Sequence, residues 1–200
     1  MKKKIISILV AICILVIILL VAVFGRKKDV NFDPTKMLTD ASNIKYEVND
    51  IVTDIGLDIN IKDGKPYLTT DINNEKFVFM FPLLIESVES KELTGFYGKV
   101  EEVYQAYIGN GDPKPVLLFL MNDGSVEYIK SSTILENGVF ESEGKIIELS
   151  DIVKFQSVNA YDIDEDGERL SGWQTVVAID KKGYSYDLSK IDYLQEYYGF

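Results

Sequence analysis

An uninterrupted apolar segment near the N-terminus constrains this chain more than any other feature of its sequence. Residues 5–25 are 21 consecutive residues without a charge, mostly Ile, Leu, Val and Ala. At ~1.5 Å rise per residue, a helix of this length matches the ~30 Å hydrocarbon core of a bilayer. The segment is long for a signal peptide, and no A-x-A cleavage site ends it. The sequence therefore predicts an uncleaved signal anchor over residues 1–28, with its transmembrane helix at about 5–25.

The cations that flank this segment bear on its orientation. Lys2–Lys4 precede it and Arg26–Lys28 follow it, so the two flanks are nearly balanced. A short basic N-terminus before the first apolar segment usually stays in the cytoplasm. We therefore expect a single-pass protein of the cell membrane, with residues 29–200 on the extracytoplasmic side.

Charge divides sharply between the anchor and the remainder of the chain. The first 28 residues hold six cations and no acid, and because the whole chain carries −11, residues 29–200 carry −17. Neutralising phosphates requires a basic face, so the composition excludes nucleic acid as a partner. It also argues against direct docking on other polyanionic surfaces, anionic lipid included, unless a cation bridges.

The one cysteine, Cys13, lies inside the predicted membrane helix, so residues 29–200 can form no internal disulfide. A domain of this length can bury a core without one. Together with the composition rich in Lys, Ile, Asn and Tyr, this favours a bacterial cell-surface protein over a eukaryotic secreted one.

The remainder of the chain has the pattern of an all-β domain. Residues 29–43 are polar and predict a stalk. From residue 44 to 200, segments of alternating or continuous apolar residues predict antiparallel strands in a sheet or sandwich-like arrangement. The last segment is the exception, because Ile191, Leu194 and Tyr198 fall at helical spacing and predict a short C-terminal helix.

Tight turns recur between the predicted strands and suggest two to three related hairpin units. Lys-Asp-Gly64, Asn-Asp-Gly124 and Lys-Lys-Gly183 each separate two strand patterns, and glycine supplies the positive φ that such turns need. The units at about 93–130 and 149–188 share the order strand, loop, strand, turn, strand. The loop of the second of these units is five residues longer, and the extra residues carry an acidic motif.

This motif, DIDEDGERLSGW at 162–173, begins like an EF-hand calcium loop. The spacing predicts a calcium site of carboxylate and carbonyl oxygens, and its candidate ligands are Asp162, Asp164, Asp166 and Glu168. The bidentate acid of the last position is replaced by Trp173, and no helices flank the loop. A site with so few ligands should be weak, with Kd in the ~10⁻⁴–10⁻³ M range. The alternative is a solvated hairpin tip, in which Asp and Gly are ordinary turn residues.

Three aromatic residues, Tyr107, Tyr161 and Trp173, are candidates for a binding surface. Their rings can stack on a ligand while their polar atoms form hydrogen bonds. The alternative is that they pack within the sheets, which favour aromatic residues.

The composition also limits the chemistry that the chain can perform. It contains no histidine, which excludes catalytic triads and metal centres that depend on one. We therefore expect a non-catalytic, membrane-anchored binding or assembly module, whose partner is another envelope protein or an extracellular ligand. Two alternatives remain open: a metal-dependent cell-wall hydrolase that uses the Asp162 loop, and a structural subunit of a membrane complex.

Overall fold

Strands make up most of the regular structure in the part of the chain that the structure describes. The computed structural model describes residues 30–38, 43–49, 57–69, 91–108, 114–130 and 141–191. Their strands are β1 (Ile44–Val48), β2 (Asp58–Lys62), β3 (Lys65–Thr69), β4 (Lys91–Glu92), β5 (Val100–Ile108), β6 (Lys114–Met121), β7 (Val126–Lys130), β8 (Ile152–Ile163), β9 (Arg169–Asp180) and β10 (Ser185–Asp187). Two 3₁₀ turns, Pro34–Lys36 and Leu188–Lys190, accompany them, and these ranges contain no α-helix. The prediction of an all-β protein with antiparallel sheets is confirmed.

The strands form three antiparallel sheets. The largest has the order β1-β8-β9-β10, and the two smaller ones have the orders β2-β3-β4 and β5-β6-β7. The long β8–β9 hairpin is the backbone of the largest sheet, with twelve residues in each strand. Only short loops join the strands of each hairpin, which is why consecutive strands lie next to each other.

Strand β6 lies at the centre of the hydrophobic core. Its residues Val116–Met121 are all apolar and all buried, because both faces of the β5-β6-β7 sheet are covered. Alternate residues on one face pack against the largest sheet, and those on the other face pack against β2-β3-β4. A strand buried on both faces should read as a continuous apolar run rather than as an alternation, and β6 does.

Two of the tight turns dock on the strand that opens the next hairpin. The amide of Val100 donates to the carbonyl of Gly64 at 2.8 Å, and the amide of Ile152 donates to the carbonyl of Gly124 at 2.8 Å. Both glycines have φ near +80°. The β2–β3 turn therefore contacts the start of β5, and the β6–β7 turn contacts the start of β8.

The third turn, at Gly183, docks on residues that come from the beginning of the chain. Its α-carbon lies close to the side chains of Val30 and Lys36. Two residues further on, the carbonyl of Ser185 accepts from the amide of Leu38 at 2.9 Å. The carbonyls at the matching positions after Gly64 and Gly124 accept from the amides of Leu93 and Ile146, so each of the three turns is covered at the same point.

Residues 30–38, which the sequence predicts as part of a stalk, thus lie against the largest sheet. Val30, Phe32 and Met37 pack on the cluster formed by buried residues of β1, β8 and β9. Pro34 opens a 3₁₀ turn rather than a longer helix, and the carboxylate of Asp33 caps it by accepting from the amide of Thr35 at 3.0 Å.

A buried carboxylate ties this region together. Asp187 is fully buried at the end of β10 and accepts from the hydroxyls of Tyr46 at 2.9 Å and Thr175 at 2.8 Å. The amide and hydroxyl of Ser189 also donate to it, at 2.9 and 2.7 Å. Four donors satisfy the carboxylate, so a buried acid is tolerated here without a basic partner.

Several sequence predictions fall outside the described residues. They include the transmembrane helix at 5–25, the buried strand that the continuous apolar residues 77–81 predict, and most of the C-terminal helix. The described ranges contain the 3₁₀ turn Leu188–Lys190 and Ile191 from its beginning. Within the described ranges, no helix has the length and apolar character needed to cross a membrane.

Candidate functional site

The acidic loop of β8–β9 forms a three-residue hairpin turn. The amide of Asp164 donates to the carbonyl of Glu168 at 3.0 Å, and the amide of Gly167 donates to the carbonyl of Asp164 at 3.1 Å. Gly167 has a φ of +82°. The turns at 121–125 and 180–184 have the same two hydrogen bonds and the same positive φ at glycine. The glycine that resembles position 6 of an EF-hand is therefore the closing residue of an ordinary hairpin turn.

The side chain of Asp164 stabilises this turn from within. Its Oδ1 accepts from the amides of Asp166 at 3.0 Å and Glu168 at 2.8 Å. Asp180 begins the β9–β10 turn, and its Oδ1 accepts in the same way from the amides two and four residues further on, at 2.8 and 2.9 Å. The first Asp of D-x-x-G is thus a turn cap in both hairpins.

The other candidate calcium ligands lie around this tip without converging. Asp162 accepts from the hydroxyl of Ser171 at 2.6 Å, and the carbonyl of Glu168 is occupied by the amide of Asp164. In the described ranges, no group of three or more acids is arranged to hold a metal ion. Calcium binding by Asp162, Asp164, Asp166 and Glu168 stays a prediction, and the hydrogen bonds favour the hairpin interpretation.

The three aromatic candidates occupy different surroundings. Tyr107 packs on the cluster between the two smaller sheets, and Trp173 packs on the cluster that residues 30–38 cover. Ala160 is the partner of Trp173 across the β8–β9 hairpin, whereas Tyr161 is next along the strand. Because neighbouring residues of a strand point to opposite faces, Tyr161 and Trp173 lie on opposite faces of the hairpin. A role of these residues in binding stays a prediction.

Tyr161 is held in a stack near the tip of the hairpin. Its ring lies over Gly172, where an added Cβ would come within 2.7 Å of the ring. The guanidinium of Arg169 lies over the same ring at 4.1 Å from its centroid and pairs with the carboxylate of Glu47 on β1. Because Gly172 has no side chain, the ring of Tyr161 can pack directly on the strand at this position. The cation–π contact with Arg169 holds the ring there.

A groove of about 540 Å³ lies where the docked turns meet, and we call it the turn-edge groove. It runs between the β6–β7 turn, the starts of β5 and β8, and the β9–β10 turn. Its apolar floor includes Leu120, Met121 and Ile152. The charged residues around this floor are Glu101, Glu102, Asp123, Asp151, Lys154 and Lys181.

Two of the carboxylates of the turn-edge groove are fixed by their neighbours. The amide and hydroxyl of Ser125 donate to Asp123 Oδ1 at 2.9 and 2.5 Å, and Lys145 lies 3.3 Å from Oδ2. The hydrogen bonds from Ser125 lower the pKa of Asp123 to about 2, with a smaller contribution from Lys145. Asp151, whose φ of +57° is unusual for a residue with a side chain, pairs with Lys181 at 2.5 Å. Asp123 is therefore ionised at neutral pH, and hydrogen bonds or an ion pair hold both side chains in place.

A second cavity, of about 470 Å³, adjoins the first, and Val30 and Lys181 line both. The other residues around it come from 31–36 and from the β9–β10 turn, and they include Lys36 and Lys182. The single acid among the residues that line this cavity is Asp33, whose hydrogen bonds from Thr35 lower its pKa. We call this cavity the lysine cavity.

The turns could be predicted from the sequence, but the turn-edge groove that they form could not. The glycines at 64, 124 and 183 are visible as turn signals, whereas the groove depends on which strand each turn contacts. The spacing of Val30, Phe32 and Met37 within a polar segment was a signal that this segment packs on a sheet.

No family model, curated protein or solved structure matches this chain.

Proposed function

We propose that this protein is a membrane-anchored, non-catalytic binding module of a bacterial cell surface, and that its turn-edge groove takes a basic segment of another envelope protein. The observation that supports the proposal most directly is the composition of the groove. Four carboxylates and two lysines surround an apolar floor. A concave surface with apolar contacts and a few placed polar groups is the usual form of a binding site.

The charge of the turn-edge groove indicates the kind of ligand that it would take. Because carboxylates outnumber lysines there, a segment rich in Lys or Arg is favoured over an acidic one. Glu101 and Glu102 are exposed at the start of β5 and offer oxygens to such a segment. Lys181 forms an ion pair with Asp151. Its positive charge therefore repels a basic ligand less than the charge of an unpaired lysine would.

The lowered pKa of Asp123 favours binding over hydrolysis at this position. A carboxyl group that donates a proton to a leaving group needs a raised pKa. The hydrogen bonds to Asp123 lower its pKa to about 2. At neutral pH this carboxyl group is therefore ionised and has no proton to donate. The hydrolase alternative therefore gains no support from this groove.

Site-specific crosslinking in cells tests the binding proposal. A photoreactive amino acid replaces Glu102 in the groove or, as the control, Asn60 on the exposed strand β2. We expect a discrete crosslinked partner from position 102 and none from position 60. The variant Lys154→Glu, crosslinked from position 102, should raise the yield, whereas Glu101→Lys should lower it. Equal labelling from both positions would overturn the assignment of the groove.

Cysteine labelling tests the proposed anchorage and orientation. With Cys13→Ser as background, Glu165→Cys places a thiol at the exposed hairpin tip, and Lys4→Cys places one before the apolar segment. In intact cells a membrane-impermeant maleimide should label position 165, and position 4 only after lysis. The opposite pattern would place the domain in the cytoplasm.

A further inference from the structure

The lysine cavity differs in charge from the domain that contains it. Residues 29–200 carry −17, yet Lys36, Lys181 and Lys182 gather around this cavity with Asp33 as the single acid of its lining. An acidic protein has no general need for such a cluster, because like charges that are brought together repel each other.

Lys36 and Lys182 differ from Lys181 in their pairing. Lys181 pairs with Asp151 at 2.5 Å. Within the described ranges, Lys36 and Lys182 have no carboxylate within ion-pair distance. The ammonium of Lys36 would lie 3.3 Å from a Cβ added at Gly183, and Lys182, the preceding residue of the β9–β10 turn, lines the same cavity.

The chain places this cavity close to the bilayer. Val30 lines the cavity and follows the last residue of the predicted membrane helix by five positions. Five residues span at most ~18 Å when fully extended, and each headgroup layer is ~5–7 Å thick. Val30 therefore lies at most ~11–13 Å beyond the outer face of the headgroup layer, a distance comparable with the Debye length of ~10 Å. The intervening residues add Arg26, Lys27 and Lys28.

The net charge of residues 29–200 argues against docking of the whole domain on anionic lipid, but the charge of this cavity is locally positive. We propose that the lysine cavity is a docking surface for the headgroups of anionic phospholipids. Lys36 and Lys182 contact the phosphates, while the acidic remainder of the domain is repelled by the same surface. The domain is thereby held with its turn edge towards the membrane. This inference rests on the proposed anchorage through residues 5–25.

Lysine reactivity in the full-length protein tests the docking surface. The protein is inserted into nanodiscs of phosphatidylcholine, alone or mixed with phosphatidylglycerol, and the acetylation rate of each lysine is followed by mass spectrometry. We expect acetylation of Lys36 and Lys182 to slow roughly fivefold in anionic discs, the factor equivalent to about 1 kcal/mol per lysine at an anionic surface. High salt should abolish the effect. The control is Lys62, which is exposed at the matching β2–β3 turn and should react at the same rate in both discs.

A variant and a soluble headgroup sharpen the test. Lys182→Gln should reduce the protection of Lys36, and Lys62→Gln should leave it unchanged. Equal slowing of Lys62 and Lys36, or no slowing of either in inserted protein, would overturn the docking surface alone. Equal protection by free glycerol phosphate in phosphatidylcholine discs would overturn the lipid assignment in favour of a soluble phosphate. A chain that does not co-elute with the discs would overturn the anchorage and this surface together.

Discussion

Two hairpin turns at opposite ends of the long strand β9 share one backbone geometry but differ in their surroundings. At both ends an aspartate begins the turn, its Oδ1 accepts from two amides, and a glycine with positive φ closes it. Gly183 is buried against Lys36 and Val30, whereas an added Cβ at Gly167 would meet no atom within 4 Å. The sequence D-x-x-G is thus sufficient for the turn, and docking is decided by the residues that pack on it.

The largest difference in stability is expected between the alanine variants of Gly124, which lies in a docked turn, and of Gly167, which lies at the free tip. Both have positive φ, but an added Cβ at Gly124 would lie 3.0 Å from the backbone of Asp151. We expect Gly124→Ala to lower the free energy of unfolding by roughly 2–4 kcal/mol, since strain and backbone displacement add. Gly167→Ala should cost about 1–2 kcal/mol from strain alone. Urea unfolding followed by the fluorescence of Trp173, the single tryptophan, measures both, and equal losses would contradict turn docking.

A second contrast sets the two capping aspartates against each other. Asp180 is 7% exposed, while Asp164 is partly exposed at the tip. Asp180→Ala leaves two partly buried amides without their acceptor and should cost roughly 1–3 kcal/mol. Asp164→Ala should cost less than about 1 kcal/mol, because water can replace the carboxylate. Urea unfolding measures the stability of both variants. A larger loss of stability in Asp164→Ala than in Asp180→Ala would contradict the assignment of Asp180 as the more buried cap.

A smaller effect, dependent on pH, is expected at the docked β6–β7 turn. The pKa of Asp123 is lowered from 3.8 to about 2 by its hydrogen bonds from Ser125. A lowered pKa stabilises the folded state above the unfolded value, and this contribution is lost as the pH falls through the folded value. We expect Asp123→Asn to lower stability at pH 7 by about 0.5 kcal/mol or less, since the group is exposed. The difference from the parent protein should shrink between about pH 4 and pH 2, as measured by melting temperature. A difference that stays constant over this range would contradict the shift.

The smallest expected effect is that of calcium on the free tip. If Asp164 is a turn cap, as Asp180 is, millimolar calcium has no preformed site to fill. The melting temperature should then be the same in EDTA and in calcium, because a ligand that does not bind the native state cannot stabilise it. A rise of several degrees that Asp166→Asn abolishes would restore the calcium interpretation.

The strands and turns of this fold could be predicted from local sequence, because their determinants are local. Asp63 and Gly64 both adopt positive φ, as an Asp-Gly hairpin requires, and the apolar segment of β6 indicates burial on both faces. The calcium hypothesis shows the opposite case. The sequence of residues 162–168 fits both the start of a metal loop and a hairpin turn, and the similar turn Asp180-Lys-Lys-Gly183 offered a comparison that favours the hairpin.

The features that could not be predicted depend on contacts between residues that are far apart in the sequence. Val30 and Phe32 lie in a polar segment that predicts a stalk, and only the position of β1, β8 and β9 gives them a surface to cover. The turn-edge groove has the same origin, since its walls come from β5, β8 and two turns that are far apart in sequence. Local patterns determine each wall, and the packing of the sheets determines that they meet.

The contacts of residues 30–38 and of β1 have a consequence for the order of folding. β1 pairs with β8, and Leu38 bonds to Ser185, so these early residues cannot complete their contacts until almost the whole domain has been synthesised. Contacts of such long sequence separation form slowly, and until they form, the apolar side chains of this segment are exposed to other chains. Under the proposed extracytoplasmic location, the fold would therefore be completed only after translocation, and a holdase on that side of the membrane would act on the exported segment until β10 follows.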